Sequence, residues 1–257
     1  MLTVKNLTMI FGGLTAVNDV SFIVNKNSIF GLIGPNGAGK TTLFNIISGF
    51  LEPLKGQIIF KGDDIQNLKP YQLNKKGIAR TYQVIKIFKN ITILESVMTA
   101  MHSRLKSGLL AAITGNNFLE ERRATKRALE ILEFVGLSHT SDNLAGSLSY
   151  GQQRQLEIAG ALASEPSLLL LDEPAAGMNT KEKNDLIKLI KKIQDMGVTI
   201  LIIEHNMRLI MGIADHICVL NEGKKIADGK PKEIQQNEDV IKAYLGGGDI
   251  NDYNFRS

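Results

Sequence analysis

The chain has 257 residues, 44% of them hydrophobic and 22% charged, with 24 Gly and 6 Pro. Those globular proportions exclude a disordered, collagen-like or coiled-coil protein and allow one large domain or two modest ones. The net charge of +4 comes with no run of five like charges, one cysteine (Cys218) and no stretch longer than 13 residues free of Asp, Glu, Lys and Arg, so no nucleic-acid partner, disulfide, paired-thiol metal site or membrane span is expected.

The amino terminus, Met1 to Leu7, has neither the apolar core nor the cleavage site of a signal peptide, and the expected location is cytosolic. Leu2–Thr8 and Val20–Val24 alternate as antiparallel strands with one wet face do. A third strand, Ser28–Ile33, runs into Gly34-Pro35-Asn36-Gly37-Ala38-Gly39-Lys40-Thr41, which fits G-x-x-x-x-G-K-[ST], and Thr42–Ile47 opens an apolar helix behind it. The glycines let successive backbone N–H groups turn inward around a phosphate at the helix amino end. Lys40 supplies a point charge to the β- and γ-oxygens, and the Thr41 hydroxyl can ligate Mg²⁺. This is a strong signal for a nucleoside triphosphate.

Gly56–Phe60 and Ile78–Gln83 read as further strands, after which strand signals vanish between Ile91 and Ala145. Ile93–His102 and Glu120–Val135 carry helical spacing, with Ala128, Ile131, Leu132 and Val135 on one face, and predict a helical subdomain inserted into an α/β core. Ser107–Phe118 reads either as a surface element docked on a partner or as a buried packing loop. Ser149 followed by Gln152 forms an S-x-x-Q capping box ahead of a helix over Gln153–Ala163. Ser167–Asp172 and Val198–Glu204 are apolar without alternation, as parallel strands covered on both faces are. Alternation puts Asp172 and Glu173 on opposite sides of their strand: Asp172 suits a Mg²⁺ shell, and Glu173 can reach a water in line with the γ-phosphate and act as base. His216–Leu220 and Lys225–Asp228 complete the strands, no repeat of 20 to 50 residues is present, and 247–257 reads as a flexible tail.

Leu148-Ser149-Tyr150-Gly151-Gln152, 24 residues ahead of Asp172, resembles the signature motif of the ABC transporter ATPases, usually LSGGQ. The resemblance runs from about Leu2 to Gly246. It implies a P-loop NTPase (RecA-like) core with a mixed β-sheet, an antiparallel β subdomain and an inserted helical signature subdomain. The core would occupy about 1–90 and 160–240, and the helical subdomain about 91–160. The implied ATP contacts are Phe11, stacking on adenine, Val17, Gly34, Asn36, Gly37, Ala38, Gly39, Lys40, Thr41, Thr42 and Asp172. Gln83 matches the glutamine that senses Mg²⁺ and the γ-phosphate, so Thr41, Gln83 and Asp172 are the expected metal set. Glu173 and His205, the latter matching the switch histidine, are the expected catalytic pair. Ser149, Gly151 and Gln152 are expected to close on the ATP of a second cassette, identical or paralogous.

Three positions depart from the family pattern: Tyr150 for the first signature glycine, Asn179 for the usual aspartate after the acidic strand, and Gly160 for a common arginine. The first two are similar to the ATP-binding subunit of branched-chain amino-acid importers, as are Phe11 to Asn18, Arg80 to Gln83 and Ala243 to Gly246. That resemblance implies ATP-powered solute import with separate permease chains docking around Gln83–Glu95, a solute-binding protein acting through them, and a peripheral place on the inner membrane face. Urea importers and lipopolysaccharide exporters are near look-alikes. Chromosome-organising relatives carry a long coiled coil between the two motifs, where this chain has only 107 residues between Lys40 and Leu148 and no sustained heptads.

Overall fold

The computed structural model describes residues 1–82, 87–101 and 117–246. Gln83, most of Ser107–Phe118 and the tail 247–257 lie outside the described residues. In chain order the elements are β1 (Leu2–Phe11), β2 (Leu14–Val24), β3 (Ile29–Ile33), α1 (Lys40–Ile47), β4 (Lys55–Phe60), β5 (Asp63–Asp64), α2 (Pro70–Lys76) and β6 (Ile78–Arg80). They continue with α3 (Ile93–Met101), α4 (Asn117–Val135), α5 (Tyr150–Ala163), β7 (Leu168–Asp172), α6 (Thr180–Asp195), β8 (Thr199–Ile203), α7 (Met207–Ile213), β9 (His216–Asn221), β10 (Lys224–Gly229), α8 (Pro231–Gln236) and α9 (Glu238–Gly246).

The strands form two sheets. The first is antiparallel, in the order β2-β1-β4-β5. The second runs β10-β9-β3-β8-β7-β6, parallel throughout except for the edge strand β10. Every residue of β3, β7 and β8 is buried, and strand alternation divides them between two cores. Leu168 and Leu170, with Phe30, Leu32, Leu201 and Ile203, join α1 and the antiparallel sheet on one side. Leu169 and Leu171, with Ile29, Ile33, Ile200 and Ile202, join the helical side of the chain on the other. The unalternating runs therefore mean what they were expected to mean, a parallel sheet sandwiched between layers. Cys218 in β9 belongs to the first core, fully buried, where burial pushes its thiol far above the usual range.

Some boundaries differ from the sequence expectations for local reasons. β2 starts at Leu14 because Phe11 pairs with Leu14 across a two-residue Gly12-Gly13 hairpin, with Gly12 at φ +56°. β5 is formed by two aspartates opposite Ile59 and Phe60, where composition gives no strand signal. α6 was not anticipated, although Leu186, Leu189, Ile190 and Ile193 recur at helical spacing and are buried. α5 begins at Tyr150 with Ser149 as N-cap, and the expected capping box is present: the Gln152 N–H donates to Ser149 Oγ (3.4 Å) and the Ser149 N–H to Gln152 Oε1 (3.0 Å).

Gly160 lies within α5 facing α3. Outside its own helix backbone, a Cβ there would meet only the Ala100 Cβ, at 3.7 Å, an ordinary contact with room for a methyl. Gly160→Ala is thus expected to stabilise the protein by about 0.5–1 kcal/mol through helix propensity alone. Thermal unfolding monitored by circular dichroism checks this; a lower midpoint would show that the α3–α5 contact cannot take a methyl.

Candidate functional site

β3 ends at Ile33, and the chain turns through a loop whose glycines are fixed by close contacts. Gly34 has φ +150° and a Cβ on it would lie 2.1 Å from the Leu220 carbonyl oxygen; Gly39 has φ +95° and a Cβ there would lie 2.3 Å from the Ala16 carbonyl oxygen. Neither position can carry a side chain. The tip of the β9–β10 hairpin supports the loop, the Gly223 N–H donating to Ala38 O (3.2 Å) and the Asn18 N–H to Gly223 O (2.8 Å). No side chain caps the start of α1 at Gly39, which leaves the first-turn N–H groups as donors for an anion. The buried Lys40 ammonium donates to Gly34 O (2.7 Å) and Pro35 O (2.9 Å), so its charge sits over the loop.

An open cleft of about 730 Å³ lies over this loop, lined by Phe11, Leu14, Thr15, Ala16, residues 36–42, Glu173, His205 and Glu222. It brings together the expected Phe11, Asn36, Gly37, Ala38, Gly39, Lys40, Thr41, Thr42, Glu173 and His205. Val17 is instead fully buried in the core, and its neighbours Thr15 and Ala16 face the cleft. Leu14, Thr15, Ala16 and Glu222 went unanticipated. The signal for Glu222 was the Asn221-Glu222-Gly223-Lys224 hairpin turn, whose position against the phosphate loop only the sheet order reveals. The cradle of uncapped N–H groups, glycines and a buried ammonium fits a polyphosphate; the Thr41 hydroxyl and the Asp172 carboxylate fit its divalent cation.

The two carboxylates part as alternation requires. Asp172 is almost fully buried, and its Oδ2 accepts a hydrogen bond from Arg80 Nη2 at 2.8 Å. Glu173, one residue on, adopts φ +46°, a left-handed conformation that is costly for a side chain bearing a Cβ. The turn brings Glu173 Oε1 within 2.7 Å of His205 Nε2, a hydrogen bond that places the imidazole proton on Nε2 when Glu173 is ionised. Glu204, just before the histidine, is buried; it accepts from the Ala175 N–H (2.8 Å) and the Asn206 N–H (3.4 Å). Burial pushes its carboxyl above the ordinary 4.5, against the pull of those two backbone donors.

Ser149, Gly151 and Gln152 do not line the cleft. With Met178, Asn179 and Glu182 they line a separate hollow of about 430 Å³. Here two departures from the family pattern gain a physical account. The Tyr150 ring covers Gly177, whose Cβ would lie 3.3 Å from Cε1, and its hydroxyl accepts from Arg154 Nη2 at 3.4 Å. Asn179 caps α6, its Oδ1 accepting from the Glu182 N–H and Glu182 Oε2 from the Asn179 N–H, both at 3.0 Å. From α5, Arg154 and Glu157 hold both backbone groups of Tyr82: Arg154 Nη1 donates to Tyr82 O (2.6 Å), and the Tyr82 N–H donates to Glu157 Oε1 (2.8 Å). Burial of Glu157 raises its carboxyl pKa.

The profile of the family described as ABC transporter matches residues 17–176, and that described as Branched-chain amino acid ATP-binding cassette transporter matches 224–250. The chain is 47% identical over 249 residues to the high-affinity branched-chain amino acid transport ATP-binding protein BraF of Pseudomonas aeruginosa, covering 96% of this chain and 98% of that one. Against the protein of the same description, LivG, from Escherichia coli, the identity is 43% with the same coverage. Among solved structures, the ADP conformation of an ATP-binding cassette of an ABC transporter superposes with a TM-score of 0.85 at 34% identity, covering 96% of this chain and 98% of that one.

A carboxyl whose pKa is raised by folding holds its proton to higher pH in the folded than in the unfolded chain, so stability falls as pH rises above 4.5 toward the folded value. Glu204→Gln keeps an acceptor for the Ala175 N–H and removes that titration. Urea unfolding of both proteins between about pH 4.5 and 8 is expected to move the stability difference steadily in the variant's favour; a pH-independent difference would show that Glu204 does not titrate above the unfolded value.

Proposed function

We propose, on the premise that the chain belongs to the ABC transporter family of ATP-binding cassettes, that it powers import of branched-chain or related amino acids as one half of a head-to-tail cassette pair. Membership makes it an ATP-binding, ATP-hydrolysing transport subunit. The observation that carries the pairing is the separation of the phosphate-loop cleft from the signature hollow. Residues that must meet on one ATP lie on two surfaces of one chain, so a complete site calls for a second cassette. The solute rests on the named relatives and on the carboxyl-terminal family match.

In this reading Phe11 stacks on the adenine and the loop from Gly34 to Thr42 receives the phosphates. The Lys40 ammonium exchanges the Gly34 and Pro35 carbonyls for phosphate oxygens. Thr41, Asp172 and Gln83 would hold Mg²⁺, which when bound neutralises β- and γ-phosphate charge. Glu173 takes the proton of an attacking water, and His205 holds the Glu173 carboxylate in place through its Nε2 bond. Ser149, Gly151 and Gln152 of the second cassette close on the γ-phosphate, so the closed pair is favoured only with ATP in place.

The element order supports a division into a RecA-like part of about 1–90 and 160–240 and a helical part of about 91–160, since the described residues between Ile93 and Ala163 form helices and no strand. No helix among the described residues is long and apolar enough to cross a membrane. The reading assigns the spanning segments to permease chains, which would dock around Gln83–Glu95 and hold the cassette at the inner membrane face. Exposed Phe88, and exposed Phe50 with its ring against Tyr82, support an apolar docking surface there. A solute-binding protein would act through those permeases.

Glu173→Gln keeps the shape of the side chain and removes the base. Phosphate release is expected to fall by about 10²–10⁴-fold, while ATP still binds and a dimer accumulates on gel filtration; normal turnover would remove Glu173 from the role of base. Ser149→Arg is expected to abolish that ATP-dependent dimer and leave nucleotide binding to the monomer intact, and an equal loss of both would place Ser149 in its own chain's site. In cells lacking the gene, labelled leucine uptake should return with the natural chain and not with Glu173→Gln; uptake that never depended on the gene would overturn the solute assignment.

A further inference from the structure

Arg80 ends β6, beside the end of β7, with Arg80 opposite Leu170 in the parallel register. Its guanidinium is almost fully buried and engages three acceptors at once: Asp172 Oδ2 at 2.8 Å, Asn45 Oδ1 at 2.8 Å and Ser48 Oγ at 2.6 Å. Asn45 and Ser48 stand on or at the end of α1, the helix that begins with Lys40, Thr41 and Thr42. Three aromatic rings surround the same group, with the guanidinium carbon 5.6 Å from the Phe44 centroid, 5.7 Å from Phe50 and 5.6 Å from Tyr82. A guanidinium spreads its donors over a rigid planar fork and can lay its flat face on rings; an ammonium has three donors but neither the span of the fork nor a face to stack.

We infer that Arg80 is a positioning residue for the cation site: it fixes the Asp172 carboxylate relative to the phosphate-loop helix, and with it the oxygen that Asp172 presents to the divalent cation. The inference rests on the ATPase reading above. Asp172 Oδ2 is committed to Arg80, while Oδ1 makes no hydrogen bond to any described residue. The buried guanidinium thus leaves Oδ1 to face the cation shell and, through Oδ2, ties the carboxylate to the helix that carries Thr41. Charge alone does not explain the arrangement. A cation beside Asp172 opposes a second, divalent one, so a pairing that served only to neutralise Asp172 would weaken Mg²⁺ binding. The Asn45 and Ser48 bonds add nothing to neutralisation and are what a positioning role requires.

The test uses the full purified chain, a fluorescent ATP analogue, and Mg²⁺ titrated from chelator-buffered zero. Arg80→Lys keeps the charge and loses the fork. Its nucleotide affinity without Mg²⁺ should stay within about twofold of the natural chain, since the phosphate loop and Phe11 are untouched. The Mg²⁺ concentration giving half-maximal tightening should rise about tenfold. Asn45→Ala, which leaves the Asp172 pair intact and loosens only the anchor on α1, should raise it in the same direction by a smaller factor. Thermal midpoints of both variants are recorded beside the titrations. An unchanged Mg²⁺ midpoint in Arg80→Lys, or a lower one, overturns the inference, whatever the change in stability. So does an equal loss of nucleotide affinity with and without Mg²⁺, which marks a structural pairing only. If the natural chain itself shows no Mg²⁺-dependent tightening, the ATPase reading fails rather than this step alone.

Discussion

Three neighbouring strands, β3, β8 and β7, have no side chain to spare for solvent: every residue in them is buried, alternately against α1 with the antiparallel sheet and against the helical side. That constraint sets where chemistry can occur. A strand apolar on both faces can offer polar groups only where it stops, and parallel pairing makes all of these strands stop at one edge. Ile33 gives way there to the phosphate loop, Leu171 to Asp172 and Glu173, and Ile203 to Glu204 and His205. The left-handed backbone at Glu173 is part of the same arrangement, because a strand that simply continued would send its side chain away from His205.

Beyond the apolar core that it shares with the sheet, the helical part is tied to that edge by short polar links. Arg154 and Glu157 stand about one and two helical turns into α5, behind the signature residues, and hold the peptide groups on both sides of Tyr82. Tyr150 reaches the same Arg154 and covers Gly177, and Asn179 begins α6 in a reciprocal cap with Glu182. A displacement of α5 must therefore pull on the strand end that carries Arg80 or break buried, charge-assisted hydrogen bonds. Such bonds are costly to leave unmade. Tyr150 and Asn179, odd against the family pattern, are structurally consistent with each other: one packs over the segment that the other terminates.

Much of this could be read from the sequence, and the remainder could not, for a common reason. The phosphate loop, the acidic strand end and the buried strands are local patterns whose residues dictate their own conformation. The Ser149–Gln152 box likewise declares itself within four positions. Arg80 looks like one more surface arginine until β6 is laid beside β7, 92 positions away from it in sequence at Asp172. Glu222 and Ala16 reach the cleft only because the β9–β10 turn abuts the loop. Val17 shows the converse, since strand alternation buries it while Ala16 faces outward. Contacts made through sheet order leave no periodic trace.

The lone cysteine has a practical corollary. Cys218 is sealed in β9 with its thiol held protonated, and reactivity follows the thiolate and its exposure. It behaves as a small hydrophobe, telling more about packing than about redox environment. Thiol-directed chemistry thus passes over the native fold in silence. A single cysteine engineered beside the signature hollow would be the one position that a spectroscopic label or crosslinker could find, so the approach of two cassettes could be watched without first stripping anything from the chain.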